Sequence, residues 1–259
     1  MKKYINQFIA IFSVEIKSLM RQAGQFGFVI FLPFLFSFFT FGIGAGISGS
    51  ISLEIWFYQL IGFTVLTLAL IFTESSAWYV REGLLTGRLE YLLASPTHPL
   101  VVVTATALYN AIFALLMFFI IGFIGTIAVY GIAKILNFIL SIFILVLFLL
   151  PMLGINLIVA GLTIIAKEPQ GIIQPINSII SAVSGFVYPI TLLPLFLQIL
   201  GKSLPYYYAV ENVRITITEF VNLLYLYPLP LLLLYFLSGI VIYRFLENIF
   251  IRKRGTYGW

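Results

Sequence analysis

Long apolar runs dominate the chain, and short polar segments separate them. The runs are continuous, without the alternation of apolar and polar residues that a membrane β-barrel needs, so they are typical of helices. Each is long enough to cross about 30 Å of hydrocarbon as a helix that satisfies its own backbone hydrogen bonds. The pattern predicts an all-α membrane protein with six transmembrane helices, at roughly residues 26–47, 55–78, 100–130, 136–165, 171–193 and 223–245.

An amphipathic segment precedes the first apolar run. Its apolar residues recur at helical spacing: Ile5, Phe8, Ile9, Phe12, Ile16 and Leu19. Basic amphipathic helices of this kind lie in the membrane interface, so residues 4–22 are predicted to form an N-terminal interfacial helix. The alternative is a simple basic anchor ahead of the first span.

Residues 194–222 differ from the other apolar regions. Two prolines interrupt the segment, and it carries Glu211, Arg214 and Glu219. Each uninterrupted piece is too short to cross the hydrocarbon. We therefore expect two short re-entrant helices that dip into one face of the membrane before the sixth span. The whole chain, residues 1–259, is predicted to form one membrane domain.

Composition agrees with this pattern. Hydrophobic residues make up 62% of the chain and charged residues 9%, and the mean hydropathy is +1.13. Soluble domains carry about 25% charged residues, which they need to cover a surface in water. This chain cannot cover a soluble surface in that way, so its natural solvent is lipid.

The residue inventory excludes most site chemistry. The chain has no Cys and no Asp, and His98 is its only His. The chain therefore lacks the residues needed for thiolate metal sites, disulfides and Ser-His-Asp triads. We expect neither catalytic residues nor a metal site. His98 is expected to be a loop residue. The net charge of +5 is better explained by basic cytoplasmic loops than by nucleic-acid binding.

The basic residues also predict the orientation. With six spans, eleven of the 14 Lys and Arg residues fall on the side that holds both termini. The positive-inside rule places that side in the cytoplasm. We therefore expect a multi-pass protein of the cell membrane with both termini cytoplasmic, residues 79–99 cytoplasmic and residues 194–222 external.

The longest polar stretch, residues 79–99, is the most informative part of the sequence. Leu85, Leu89, Leu92 and Leu93 share one face at helical spacing, and Pro96 ends the pattern. These residues predict a short amphipathic helix on the cytoplasmic side. From periodicity alone, such a helix either docks against a soluble partner or lies in the interface without one.

The same stretch carries a family resemblance. The run from Gly87 to Pro96, GRLEYLLASP, resembles the G-T-L-E-x-L-L-x-[ST]-P coupling segment of ABC-2 type transporter permeases, with Arg88 where that family often has Thr. Arg81 and Glu82 resemble the family's charged lead-in. Further residues resemble its pattern around the fifth span and the external helices: Gly161, Ser184, Gly185, Pro189, Pro194, Pro205 and Arg214.

The resemblance implies a permease that works with a separate ATPase. Two copies of an ABC ATPase subunit would bind ATP and Mg²⁺, and a second permease would complete a homodimer or heterodimer in membrane lipid. The chain itself has a single Gly-Lys pair, Gly201-Lys202, without the remaining Walker A glycine, and no Asp for a Walker B motif. The residues expected to couple to the ATPase are Arg81, Glu82, Arg88, Glu90 and Tyr91.

Polar and aromatic residues at membrane depth are candidates for the transport pathway. The family's pathway lies between spans 2 and 5, and the resemblance therefore implies lining roles for Phe57, Phe63, Gln174 and Asn177. Buried polar residues also bond helices to one another, which is the interpretation favoured for Asn110 and Asn156. Glu74, near the end of span 2, is expected to form a structural ion pair.

The function these expectations favour is the membrane subunit of an ATP-driven exporter. It would move an amphipathic or lipid-like compound outward by alternating access. Two alternatives remain from the residues alone. One is an intramembrane lipid-modifying transferase, which would need clustered polar groups, and the other is a membrane scaffold that transports nothing.

Overall fold

Four helices dominate the computed structural model. It describes residues 9, 13, 31–42, 52–88, 91, 98–166, 168–219 and 226–249. The helices are α1 (Phe31–Gly42), α2 (Leu53–Leu85), α3 (Pro99–Tyr130), α4 (Ile135–Ala166), α5 (Gln170–Val183), α6 (Leu195–Ser203), α7 (Pro205–Thr218) and α8 (Leu229–Leu246). Short 3₁₀ turns lie at Ile132–Lys134 and Ile190–Leu192.

Four of the described helices, α2, α3, α4 and α8, are long and apolar enough to cross a membrane. They correspond to the predicted spans 2, 3, 4 and 6. The shorter apolar helix α1 lies within the predicted first span. The predicted interfacial helix, residues 4–22, falls outside the described residues except for Ile9 and Ser13.

Helix α4 is the centre of the bundle. It packs against α2, α3, α7 and α8. The closest crossing is with α8, where Gly154 and Gly239 face each other backbone to backbone: a Cβ atom added to either glycine would overlap main-chain atoms of the other helix. Small residues at such crossings are what membrane helices use to pack closely.

The predicted fifth span ends early. Helix α5 stops at Val183, and Gly185 adopts a left-handed backbone with φ of 73°. A continuous helix over residues 171–193 was therefore the wrong prediction for its second half, because hydropathy continues where the backbone turns. The 14 residues of α5 rise about 21 Å, less than the thickness of the hydrocarbon.

Two short helices, α6 and α7, occupy the segment predicted to hold two. Pro205 stands at the first position of α7, where its missing N–H costs no helical bond. Helix α7 packs against α4 and α2 and has nine buried residues. Its depth relative to a membrane stays a prediction.

The end of α2 also differs from the sequence expectation. The helix continues seven residues past Trp78 and stops only at Leu85, with Thr86 as its cap and Gly87 at φ of 70°. Leu85 is therefore part of α2 and does not belong to a separate amphipathic helix. Residues 79–85 contain no proline, and Gly83 stays within the helix, so the backbone turns only at Gly87. Leu89, Leu92 and Leu93 lie outside the described residues.

Candidate functional site at the end of helix α2

An ion pair joins the end of α2 to the start of α5. The Nη2 atom of Arg81 donates to Oε1 of Glu168 at 3.1 Å, and Glu168 stands two residues before α5 begins. The Arg81 guanidinium also lies 5.6 Å from the centre of the Trp78 ring. Because both partners are partly exposed, the pair contributes at most about 1 kcal/mol to stability. It matters because it connects the end of α2 to the start of α5.

A second ion pair folds the chain back onto α2 after the turn at Gly87. The Nη2 atom of Arg88 lies 3.4 Å from Oε2 of Glu82 and 3.4 Å from the backbone oxygen of Tyr79. Its guanidinium stacks on the Tyr79 ring at 4.3 Å. Arg88 is thus held by a carboxylate, a carbonyl and an aromatic face at once.

The structure brings three of the five expected coupling residues together. Arg81, Glu82 and Arg88 cluster at the end of α2, which we call the coupling end. Tyr91 is 79% exposed. Glu90 lies outside the described residues. Their contact with an ATPase stays a prediction.

A cavity of about 590 Å³ opens beside the coupling end, between α2 and α3. Glu74 contributes a carboxylate to its wall, and the Trp78 indole N–H donates to that carboxylate at 3.4 Å. Among the described residues Glu74 forms no ion pair, and the expected structural pair stays a prediction. The basic side chains nearest in sequence, Arg81 and Arg88, are engaged by Glu168 and Glu82.

The four expected pathway residues have different surroundings. Phe57 is 2% exposed and meets the Tyr130 ring edge-on at 5.1 Å, which leaves no face of its ring for a substrate in this conformation. Phe63 is half-buried and stacks on Phe36 of α1 at 5.8 Å.

The two candidates on α5 lie nearer to a surface of the chain. Gln174 is exposed. Asn177 is half-buried, and within the described part of the chain its Oδ1 atom has no hydrogen-bond partner. Their lining role stays a prediction.

Asn156 bonds helices to one another, as predicted. Its Nδ2 atom donates to the backbone oxygen of Phe72 at 2.6 Å and to Ser75 at 3.1 Å, and Ser76 donates to its Oδ1 atom at 2.5 Å. These bonds fasten α4 to α2. Asn110 does not do the same, because its amide donates within its own helix, to the Thr106 oxygen at 2.9 Å.

Arg214 is the residue whose importance sequence reasoning missed. The sequence identified it as a charge of an external segment and as part of the family resemblance, without a structural role, yet it is 5% exposed. Its guanidinium donates to the backbone oxygens of Tyr58 at 3.0 Å, Gly185 at 2.8 Å and Phe186, and it lies 3.4 Å from the centre of the Tyr58 ring. An arginine inside a short apolar segment was the available signal.

The charge on Arg214 is retained despite burial. Desolvation lowers the pKa of the guanidinium to about 10, while nearby Tyr58 opposes the shift. The side chain is therefore protonated at neutral pH. A protonated guanidinium with several donors can satisfy three carbonyls at once, and it joins α7 to α2 and to the turn after α5.

The described residues contain no cluster of metal-binding side chains. No group of three or more His, Cys, Asp or Glu side chains among them could hold a metal ion. His98 accepts a hydrogen bond from the Leu100 N–H at 3.3 Å through Nδ1 and so caps the start of α3. That is a structural role.

The bundle of apolar helices defines a class, the multi-pass α-helical membrane proteins. Within that class, residues 6–218 match the family model of the ABC-2 type transporter. The chain belongs to this family and is a permease, the membrane component of an ABC transporter. ABC-2 permeases generally work with an ABC ATPase partner. None of the curated proteins compared with the chain matches it.

Proposed function

We propose that the chain is the permease subunit of an ATP-driven exporter that moves an amphipathic or lipid-like compound outward by alternating access. Two copies of a separate ATPase subunit bind ATP and Mg²⁺, and a second permease, identical or related, completes the pathway. The chain crosses the cell membrane six times with both termini in the cytoplasm. Helix α1 belongs to the first span, and α5 with the turn that follows it forms the fifth.

The continuity of α2 is the observation that carries this proposal. Its 33 residues rise about 50 Å, well beyond the roughly 30 Å of hydrocarbon. The helix therefore extends without a break from the membrane to the coupling end. A rigid helix of this kind transmits a displacement of its end to the part of the helix that lies in the membrane.

The ion pair between Arg81 and Glu168 extends that transmission to α5. A movement at the coupling end reaches α2 directly and reaches α5 through Glu168. Helices α2 and α5 are the two that the family resemblance associates with the transport pathway. A single movement at the coupling end thus moves both α2 and α5, the two sides of the pathway, as alternating access requires.

The exposed groups of the coupling end supply the docking surface. The side chain of Glu82 is 67% exposed, and Tyr91 projects beyond the turn at Gly87. Glu90 lies between Arg88 and Tyr91 in the sequence and adds a second carboxylate. Charged groups around an exposed aromatic residue suit the polar rim and aromatic anchor of a protein interface.

Charge reversal at Glu90 tests the proposal. We expect the tagged wild-type chain, purified from its native membranes, to bring down ATP-hydrolysing activity, and Glu90→Arg to lose at least about 90% of it, or about 1.4 kcal/mol of binding. The loss follows because a carboxylate that faces the partner becomes a repelling cation.

Glu219→Arg is the matched control, since Glu219 is an exposed carboxylate at the end of α7. It should retain the activity. Equal ATPase recovery with all three chains would contradict the proposed coupling surface, and no ATPase with any of them would favour a scaffold.

A further inference from the structure

The cavity beside the coupling end has a wall of mixed charged, polar and aromatic side chains. Its wall combines acidic, aromatic and amide side chains from the last turns of α2 and from α3, with Arg88 at one edge: Glu74, Trp78, Glu82, Arg88, Tyr109 and Asn110. At about 590 Å³ it has the volume of sites that bind small organic ligands.

The charges of the wall do not cancel. Arg88 neutralises Glu82 at 3.4 Å, whereas the hydrogen bond that Glu74 accepts among the described residues comes from the neutral Trp78 indole N–H. Among the described residues of the wall, one negative charge is therefore left without a cationic partner. A half-buried carboxylate on a membrane-spanning helix is costly without a cationic partner. A cation inside the cavity would supply that partner.

The aromatic residues of the wall favour the same ligand charge. The Trp78 and Tyr79 rings already have guanidinium groups near them, at 5.6 Å and 4.3 Å. Aromatic faces attract organic cations through the ring quadrupole, and an aromatic ring beside a carboxylate is how proteins recognise amines and quaternary ammonium groups. The ring faces and the Glu74 carboxylate would both repel an anion.

We propose that this cavity binds a monovalent organic cation, a protonated amine or quaternary ammonium joined to an apolar body, with Glu74 as its counter-charge. The site does not depend on an ATPase partner. Glu82 at the rim has a side chain that is 67% exposed, so the cavity meets the surface beside the coupling end.

Ethidium, a permanently charged aromatic cation, is a suitable probe. Its fluorescence is titrated against the full chain in detergent. Glu74→Gln keeps the shape of the side chain and removes the charge, so we expect ethidium affinity to fall at least about tenfold, or about 1.4 kcal/mol. The matched control is Glu54→Gln, an exposed carboxylate in the first turn of the same helix, which should change affinity less than about twofold.

A neutral ligand separates charge recognition from apolar binding. Phenanthridine, the uncharged ring system of ethidium, should bind more weakly than ethidium and equally to the wild type and to Glu74→Gln. Equal binding of both ligands, or unchanged ethidium affinity in Glu74→Gln, would overturn the proposal.

A second variant keeps the test decisive if Glu74→Gln does not fold. Trp78→Leu removes the ring and the hydrogen bond to Glu74, and it should weaken ethidium binding at least about fivefold, or about 1 kcal/mol. Trp56→Leu, near the other end of α2, is its control and should not. Folding of each variant is checked by circular dichroism. Unchanged affinity in Trp78→Leu would also overturn the proposal.

Lipid nanodiscs identify the source of the cation. Displacement of ethidium by phosphatidylethanolamine but not by phosphatidylglycerol would assign the site to a lipid headgroup amine. Displacement by neither would assign it to a free amphipathic cation, and both results support a cation site. Equal displacement by both lipids would contradict it, because the cavity would then recognise acyl chains.

Discussion

Arg214 shows how a single side chain can hold this fold together. It brings one positive charge into the interior and surrounds it with the backbone oxygens of Tyr58, Gly185 and Phe186. Gly62 makes room for this arrangement, because a Cβ atom there would overlap both the guanidinium and the Phe186 oxygen. The residue thus fixes α7 against α2 and sets the turn that ends α5.

Replacing Arg214 by lysine should reveal that role. An ammonium group keeps the charge but cannot reach three carbonyls in the same fork-like geometry, so two acceptors lose their donor. We expect Arg214→Lys to lower the free energy of unfolding by about 2–3 kcal/mol in detergent, measured by denaturant titration. Lys202→Met, at an exposed position of α6, should change it by less than about 0.5 kcal/mol. Equal stability of the two variants would contradict this role.

Residue types at the coupling end could be predicted from the sequence, but their partners could not. Arg81, Glu82 and Arg88 were expected there because they lie in the segment that resembles the family's coupling segment and its charged lead-in. The pairing of Arg81 with Glu168 joins positions 87 residues apart, and no local pattern encodes it. Arg214 was missed for the same reason, since its partners are backbone oxygens, which every residue has.

At the scale of elements, the crossing of α4 and α8 brings two helix backbones into direct contact. The backbones meet at Gly154 and Gly239, so the helices attract each other through many close van der Waals contacts. A methyl group at either glycine would push the two helices apart and weaken those contacts. Pro151 lies inside α4 one turn before Gly154 and is buried. Neighbouring helices make such a proline tolerable in membrane proteins.

A methyl group at that crossing should therefore cost stability. We expect Gly239→Ala to lower the free energy of unfolding by about 1–3 kcal/mol, because its Cβ atom would meet the backbone of Gly154. Gly171→Ala, in α5, meets nothing within 4 Å and should leave stability unchanged or raise it by up to about 1 kcal/mol. The same denaturant titration measures both. A loss of similar size in the two variants would contradict the close crossing.

The hydropathy pattern predicted where helices lie but not where they end. Helices α2, α3, α4 and α8 follow the apolar runs because a spanning backbone has no other way to satisfy its hydrogen bonds. The ends of α2 and α5 were misplaced, since they depend on single glycines with left-handed backbones, Gly87 and Gly185. Hydropathy does not register either turn.

At the scale of the whole molecule, several polar features lie together at one end of the bundle. The ion pairs of Arg81 and Arg88, the exposed Tyr91 and the acidic cavity at Glu74 all lie towards the end of α2. An ATPase docked there would touch the helix that borders the cavity. The cavity that binds the ligand and the surface that binds the ATPase would then lie on the same rigid helix, α2.

Cross-linking at Tyr91 tests the central claim most directly. The chain contains no cysteine, so Tyr91→Cys introduces a unique thiol at an exposed position of the coupling end, and Lys202→Cys does the same on α6. With a cysteine-to-lysine cross-linker in native membranes, Tyr91→Cys should capture a protein that carries a Walker A motif, identified by mass spectrometry, and Lys202→Cys should not. Capture of no such protein at Tyr91, or equal capture at both positions, would contradict the account.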